Sequence, residues 1–357
     1  MNLFINNKKI NINTKYSPQL DHIRALAVFM VFVWHFIHFK DFHRTTPDIF
    51  LFPVSILTEG HTGVVLFMTL SGYLFSKIFE NKKINFLYFY INRLLRLIPL
   101  LIIIILVNLI LSNKLNLLNF IEIFIAGFHN SWPYGAWSVS VEFKYYYLLP
   151  LILFFLNKNK KYLFLIITFS ISVNIFLFFF KNHKLQYYAY FSIIGHLNEF
   201  LMGMLSYRYR NYIKKYKKEL LFTSLFFLIF YYNFEKNGGF YDSRKHSAIW
   251  IILPSVQGFF YAFLICFYDN NNFNFLKTKK SFFLAKIGLF SYSIYLWHFI
   301  FVFEMPKLID NYIVKLDNLY LTLIVSLPCF IIITLLSAIS YHILEKPWLK
   351  LRKKYII

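Results

Sequence analysis

The 357-residue chain carries 38 Lys and Arg against 16 Asp and Glu, a formal net charge of +22, yet 58% of its residues are hydrophobic and 22% aromatic. A mean hydropathy of +0.53 and apolar runs of membrane length from end to end exclude a soluble globular domain. Both cysteines, Cys266 and Cys329, fall inside apolar runs, which argues against a disulfide framework and offers no metal-ligand spacing.

Ten membrane-spanning helices are predicted, over residues 20–39, 61–79, 97–112, 138–156, 162–180, 189–207, 219–234, 247–268, 284–304 and 319–343. The expected fold class is therefore all-α, a polytopic helical bundle in the membrane. Residues 117–128 are apolar but too short to span, and read as an interfacial or re-entrant piece. The first 19 residues are polar and lack the apolar core of a cleavable signal. With the N-terminus assigned to the cytoplasm, the inner segments carry 25 Lys and Arg and the outer loops 10, Lys77 being counted with the inner segment it adjoins. That asymmetry places both termini in the cytoplasm. The basic runs Arg208–Lys218 and Lys346–Lys354 then read as topogenic clusters facing anionic lipid, and no nucleic-acid partner is expected. No internal repeat, long linker or soluble module interrupts the pattern. Residues 1–357 are expected to form one membrane domain, with a short polar N-terminal segment (1–19) and a basic cytoplasmic tail (344–357).

This topology gives each intramembrane polar group a depth. Arg24 and His35 lie eleven positions apart in one apolar stretch, hence on one helix face, separated by roughly 16 Å along the axis. Ionisable residues in such a segment are costly and mark function by default. Arg24 falls near the cytoplasmic face, as do Arg93 and Arg96, which sit one helical turn apart. Guanidinium groups there suit phosphates, with which they form paired hydrogen bonds. Taken alone, Arg93 and Arg96 would be ordinary anchors of the positive-inside kind. In the outer half lie His35, Glu142, His196, Glu199 and His298, a set suited to proton transfer. His196 and Glu199 read as a structural polar pair. Asp21, one turn before Arg24, is placed to hold its guanidinium. Ser71-Gly72, near mid-membrane, reads first as a site of close helix approach.

Several segments together resemble the membrane-bound acyltransferase-3 family, which modifies bacterial surface glycans and other acceptors. They are the Arg24-to-His35 segment ending in Trp34-His35, Gly63-Val-Val-Leu-Phe-Met-Thr-Leu-Ser71-Gly72-Tyr73, Asn92-Arg93-Leu-Leu-Arg96-Leu-Ile-Pro99, Trp137-Ser138-Val-Ser-Val-Glu142, Ser291-Tyr-Ser-Ile-Tyr-Leu-Trp-His298 and Tyr341-His-Ile-Leu-Glu345-Lys-Pro347. They occur in order over nearly the whole chain. Two departures stand out: Phe143-Lys144 where the family commonly has Glu-Gln, and Val65 where a polar residue is frequent.

The resemblance implies acetyl-CoA as donor co-substrate, no metal, a glycan or lipid-linked glycan as acceptor, lipid contacts, and a multi-pass location in the bacterial cytoplasmic (inner) membrane. On that reading Arg93, Arg96 and Arg24 hold the donor's phosphates. His35 acts as general base on the acceptor hydroxyl, or accepts the acetyl group itself, and Glu142 orients or charge-stabilises its imidazole. Asp21, Ser71, Trp137, Ser138, His298 and Glu345 are supporting residues. Two alternatives stay open: transfer of a succinyl or other acyl group to a glycan or lipid, and a proton-coupled polysaccharide or lipid transporter using the same His and carboxylates.

Overall fold

The structure, a computed structural model, describes residues 17–39, 52, 54–159, 161–180, 184–242 and 248–357. The predicted polar N-terminal segment lies outside the described residues as far as Tyr16, as does the first position of the predicted 247–268 span. Twelve helices of ten residues or more are found among the described residues: α1 (Pro18–Ile37), α2 (Thr62–Phe79), α3 (Phe86–Leu111), α4 (Leu117–Ala126), α5 (Trp137–Lys158), α6 (Lys161–Phe180), α7 (Ile193–Arg208), α8 (Lys217–Lys236), α9 (Ile249–Asn270), α10 (Lys279–Leu289), α11 (Ser291–Tyr312) and α12 (Leu319–Ser340). Among these residues β structure is confined to one isolated bridge, between Ile84 and Ile356. The all-α bundle expected from sequence is what the chain forms. Helices satisfy their own backbone hydrogen bonds, which the interior of a bilayer requires.

Among the described residues seven helices are long and apolar enough to cross a membrane: α1, α2, α3, α5, α6, α9, and α12 with the turns that extend it to Leu349. An eighth crossing results if α10 and α11 count as one span bent by 67°. These eight overlie eight of the ten predicted stretches. The remaining two are helical but different in kind. The stretch 189–207 is split at Ser192, whose hydroxyl accepts the Ile194 N–H and caps the 16-residue α7. The stretch 219–234 lies within α8, whose ends carry Lys217, Lys218, Glu219, Glu235 and Lys236. Length and hydropathy single out neither. Helix α4 has no buried residue, and a π-helical turn, Gly127–Ser131, follows it.

Helix α1 begins with Pro18 in its first turn, a position where the missing N–H has no helical partner to lose. It runs through the middle of the bundle, packed on α2, α10, α11 and α12. Helix α2 packs most extensively on α7, and both contact α9. Small residues set these crossings, as expected where lipid removes the hydrophobic drive for helix association. A Cβ on Gly72 would lie 1.9 Å from the Phe200 carbonyl oxygen, and one on Gly203 would lie 2.0 Å from that of Thr69. The two backbones therefore touch, and no side chain fits at either position. Outer helices present apolar faces to lipid. In α6 only Leu163, Ile167, Ser170 and Asn174 are buried, a stripe at helical spacing, while Phe164, Phe169, Phe176 and Phe179 are exposed.

Polar brackets gather several chain segments at one end of the bundle. Asp269, in the last turn of α9, accepts from Ser17 (2.7 Å), Tyr73 (2.7 Å) and Lys77 (2.7 Å), tying together the ends of α1, α2 and α9. Glu80 pairs with Arg210 (2.9 Å) and accepts from Tyr207 (3.1 Å). The chain's last residues return to the same end. Asn85 N–H donates to Tyr355 O (2.8 Å), Ile357 N–H to Lys83 O (3.0 Å), and the Asn92 side chain makes two hydrogen bonds with the Lys353 backbone (2.6 and 2.9 Å).

Candidate active site

From this bracketed end a cavity of 290 Å³ runs into the bundle, at the small end of the range for small-molecule sites. Four guanidinium groups, those of Arg24, Arg93, Arg96 and Arg352, line it together with Glu142. Its apolar walls come from α2 through Val64, Phe67, Met68, Leu74 and Phe75. Ser138, Tyr292 and Tyr295 complete the lining. Ser71 lines the cavity while its neighbour Gly72 packs against α7, so the two halves of Ser71-Gly72 divide between site and scaffold.

The arginines are held mainly by geometry rather than by counter-charges. Arg24 donates to Asp21 one turn back on α1. The guanidinium of Arg93 lies 5.1 Å from the ring centres of both Phe75 and Phe89 and 5.7 Å from that of Tyr146, so aromatic faces fix its position. Arg96 and Arg352 form no ion pair among the described residues. The buried Nε atoms of Arg93 and Arg352 have no hydrogen-bond partner there either. Burial, then the charges of Arg96 and Arg93, push the Arg352 guanidinium down from its usual range to about 10. The carboxylates nearby are already engaged: Glu142 accepts from Tyr146, and Glu345 from Ser293.

At the other end lies an imidazole pair. Ser138 donates to the Tyr295 hydroxyl (2.6 Å), which donates to Gly135 O (3.0 Å). One turn beyond Tyr295 on α11, His298 contacts the Tyr295 carbonyl through Nδ1, and its Nε2 lies 3.3 Å from His35 Nδ1. His35 Nδ1 also lies 2.9 Å from Val31 O. Carbonyl oxygens only accept, so each Nδ1 carries its proton. His298 Nε2 is then the acceptor for His35, and His35 Nε2 is left with a free lone pair and no partner among the described residues. Phe299 covers the His35 ring with centroids 4.3 Å apart. Gly135, at φ +72°, leaves room for Phe299, since a Cβ there would sit 2.2 Å from that ring.

Two expectations are revised. Glu142 does not touch His35: it faces the cavity and is bonded to Tyr146, while Val31 O and His298 hold the imidazole. Trp137, named as a supporting residue, stacks on His196 (5.6 Å, 24°) and packs on Phe191 (4.8 Å). The run Lys346–Lys354 does not face outward as a whole, because Arg352 turns into the cavity while Lys353 and Lys354 remain exposed. His196 and Glu199 form a buried pair at 2.6 Å away from the cavity lining. Two features had no sequence signal. Arg352 and Tyr355 reach the site only because the tail folds back. A second buried pair, His61 and Glu59 (3.2 Å), sits behind Trp34, whose ring centre is 5.5 Å from that of His61. Among the described residues no three His, Cys, Asp or Glu side chains converge as a metal site.

No curated protein and no solved structure matches the chain. A family model described as an acyltransferase domain, the acyltransferase-3 family, matches residues 17–342. With its long apolar helices, the chain therefore belongs to the acyltransferase-3 family and is a multi-pass membrane acyltransferase that transfers groups other than aminoacyl groups.

Proposed function

We propose that this protein moves an acetyl group from cytoplasmic acetyl-CoA to a hydroxyl of a surface glycan, working as one membrane domain in the bacterial cytoplasmic membrane with both termini inside. The observation that carries this reading is a single cavity whose cationic end opens among Arg24, Arg93, Arg96 and Arg352 and whose far wall, Ser138 and Tyr295, abuts the His298–His35 pair. Phosphates would dock at the guanidinium end, and the pantetheine arm would follow the apolar wall of α2 toward the imidazoles. At 290 Å³ the cavity suits an arm and a small acyl group rather than a whole nucleotide, which would remain at the mouth.

His35 Nε2, with its lone pair free, takes the proton of the acceptor hydroxyl. The oxygen attacks the thioester carbonyl, a C–O bond forms, and the C–S bond breaks. The thiolate leaves with the proton held on His35, giving an acetyl ester and free CoA. Val31 O and His298 Nε2 both accept from His35 Nδ1–H and so hold the tautomer that this step needs. Asp21 orients Arg24, and Glu345, bonded to Ser293, supports the cationic end. Glu142, at the cavity wall, balances the charge of Arg93 rather than orienting His35. Proton NMR of surface polysaccharide from intact, gene-deleted and His35→Ala-complemented cells tests the proposal. Loss of O-acetyl signals on deletion, not restored by His35→Ala at normal expression, is expected. Unchanged acetylation in all three would overturn it.

A further inference from the structure

The tail after α12 is built into the site in a way its basic composition alone does not explain. A second opening of 160 Å³ at the cavity mouth is lined by Asn92, Arg93, Arg352, Lys353, Lys354, Tyr355 and Ile356. Arg93, Arg352 and Tyr355 line both spaces, so the two lie side by side across these three side chains. The clasp that holds the tail is specific: the Asn92 side chain donates to Lys353 O and accepts from Lys353 N–H, and two backbone bonds join residues 83–85 and 355–357. Its result is a guanidinium pointed at two others of like charge, with a buried Nε that has no partner among the described residues. Such an arrangement is unfavourable unless an anion completes it. Asp21, Glu142 and Glu345 are the carboxylates around the cluster, and each is already hydrogen-bonded.

We infer that Arg352, clasped in place by Asn92, is a phosphoryl-binding residue of the donor site and that the C-terminal tail forms one wall of that site. This rests on the donor reading above and extends it to a segment outside the matched family region, which ends at residue 342. Arg352 with Arg93 spans the step from mouth to cavity, where a nucleotide diphosphate would pass, and Lys353 and Lys354 add charge at the rim. An anionic lipid headgroup offers the same phosphoryl chemistry. The donor is favoured because Arg352 faces inward, onto the cavity that leads to Tyr295.

The test uses the full-length protein in detergent without anionic lipid, with thermal stabilisation by CoA and by pantetheine, which lacks the phosphates and nucleotide, measured side by side. Wild type should be stabilised by CoA far more than by pantetheine. Arg352→Gln should weaken the apparent CoA affinity about tenfold while leaving the pantetheine response unchanged. Arg352→Lys, keeping charge but not the fork, should fall between. Asn92→Ala, which retains all four arginines, should weaken CoA binding as well and supplies the test if Arg352→Gln does not fold. Equal CoA affinity in wild type, Arg352→Gln and Asn92→Ala would overturn the inference while leaving the donor reading intact. Absence of CoA stabilisation in wild type would overturn both. Repetition in phosphatidylcholine nanodiscs with and without phosphatidylglycerol separates the sources: an Arg352 effect that appears only with phosphatidylglycerol would assign the residue to lipid and overturn the inference.

Discussion

Two groups of arginines sit at the same end of this bundle and are treated in opposite ways. Arg208 and Arg210 close on Glu80, with Arg210 Nη2 2.9 Å and Arg208 Nη1 3.7 Å from its carboxylate, and Arg210 lies over the Tyr207 ring at 4.1 Å. Arg93, Arg96 and Arg352 point into a cavity, supported by aromatic rings and a clasped backbone, without an ion pair among the described residues. In the first group the charge is answered inside the protein, and the arrangement is a bracket between α2 and α7. In the second Glu142 offsets the charge only in part, and the rest is left to be answered by something that enters. Composition cannot tell these apart, since both are basic clusters beside apolar helices. The difference lies in where the carboxylates are and in what holds the guanidinium groups still.

Substitutions should separate the two groups, and the imidazole end from both. The largest effect is expected from His35→Ala: turnover should fall by about 10²–10⁴-fold, the scale of general-base loss, while CoA still stabilises the protein. Rates of acetyl transfer with CoA-dependent melting on the same preparation check this. His298→Phe removes one of the two acceptors that hold the His35 Nδ1 proton, leaving Val31 O, and kcat should drop by about tenfold with the donor KM unchanged, in steady-state assays. Arg96→Ala removes an unpaired cation from the cavity, so CoA affinity should fall by about tenfold or more with melting temperature nearly unchanged, by titration calorimetry. The smallest effect belongs to the bracket. Glu80→Gln should cost about 1 kcal/mol or less of stability and leave CoA affinity unaltered.

The bracket also carries a sign in pH. Burial pushes the Glu80 carboxyl up, but the hydrogen bonds and charge of Arg210 carry it below the ordinary carboxylate value of 4.5. A carboxylate lowered in the folded state contributes stability that is fully present above its ordinary value and is lost as pH falls through the lowered one. Melting curves of wild type and Glu80→Gln should therefore converge only below about pH 4.5.

Much of this was legible in the sequence for identifiable reasons. Long apolar runs report helices because a bilayer tolerates little else, and Arg24, Arg93 and Arg96 stand out because cations there are rare. Local patterns, however, carry no information about which depth-matched groups touch. Topology alone assigns Glu142 and His35 to one depth, yet Glu142 lines the cavity with the arginines and turns to Tyr146 four residues on, while His35 meets His298 from a helix 263 residues away. Arg352 was hidden for the same reason: its position depends on Asn92 gripping Lys353 across 261 residues, and a basic tail reads as lipid-facing by default. The break at Ser192 had a local signal, a serine that caps the helix after it, masked by the apolar residues on both sides.

The measurement that bears most directly on the division between a binding end and a chemical end is CoA titration calorimetry, paired with acetyl-transfer rates, on wild type, His35→Ala and Arg93→Ala. The expected result is a double dissociation: His35→Ala binds CoA as wild type does but does not turn over, and Arg93→Ala loses CoA affinity. Near-wild-type turnover by His35→Ala, or unchanged CoA affinity in Arg93→Ala, would contradict it.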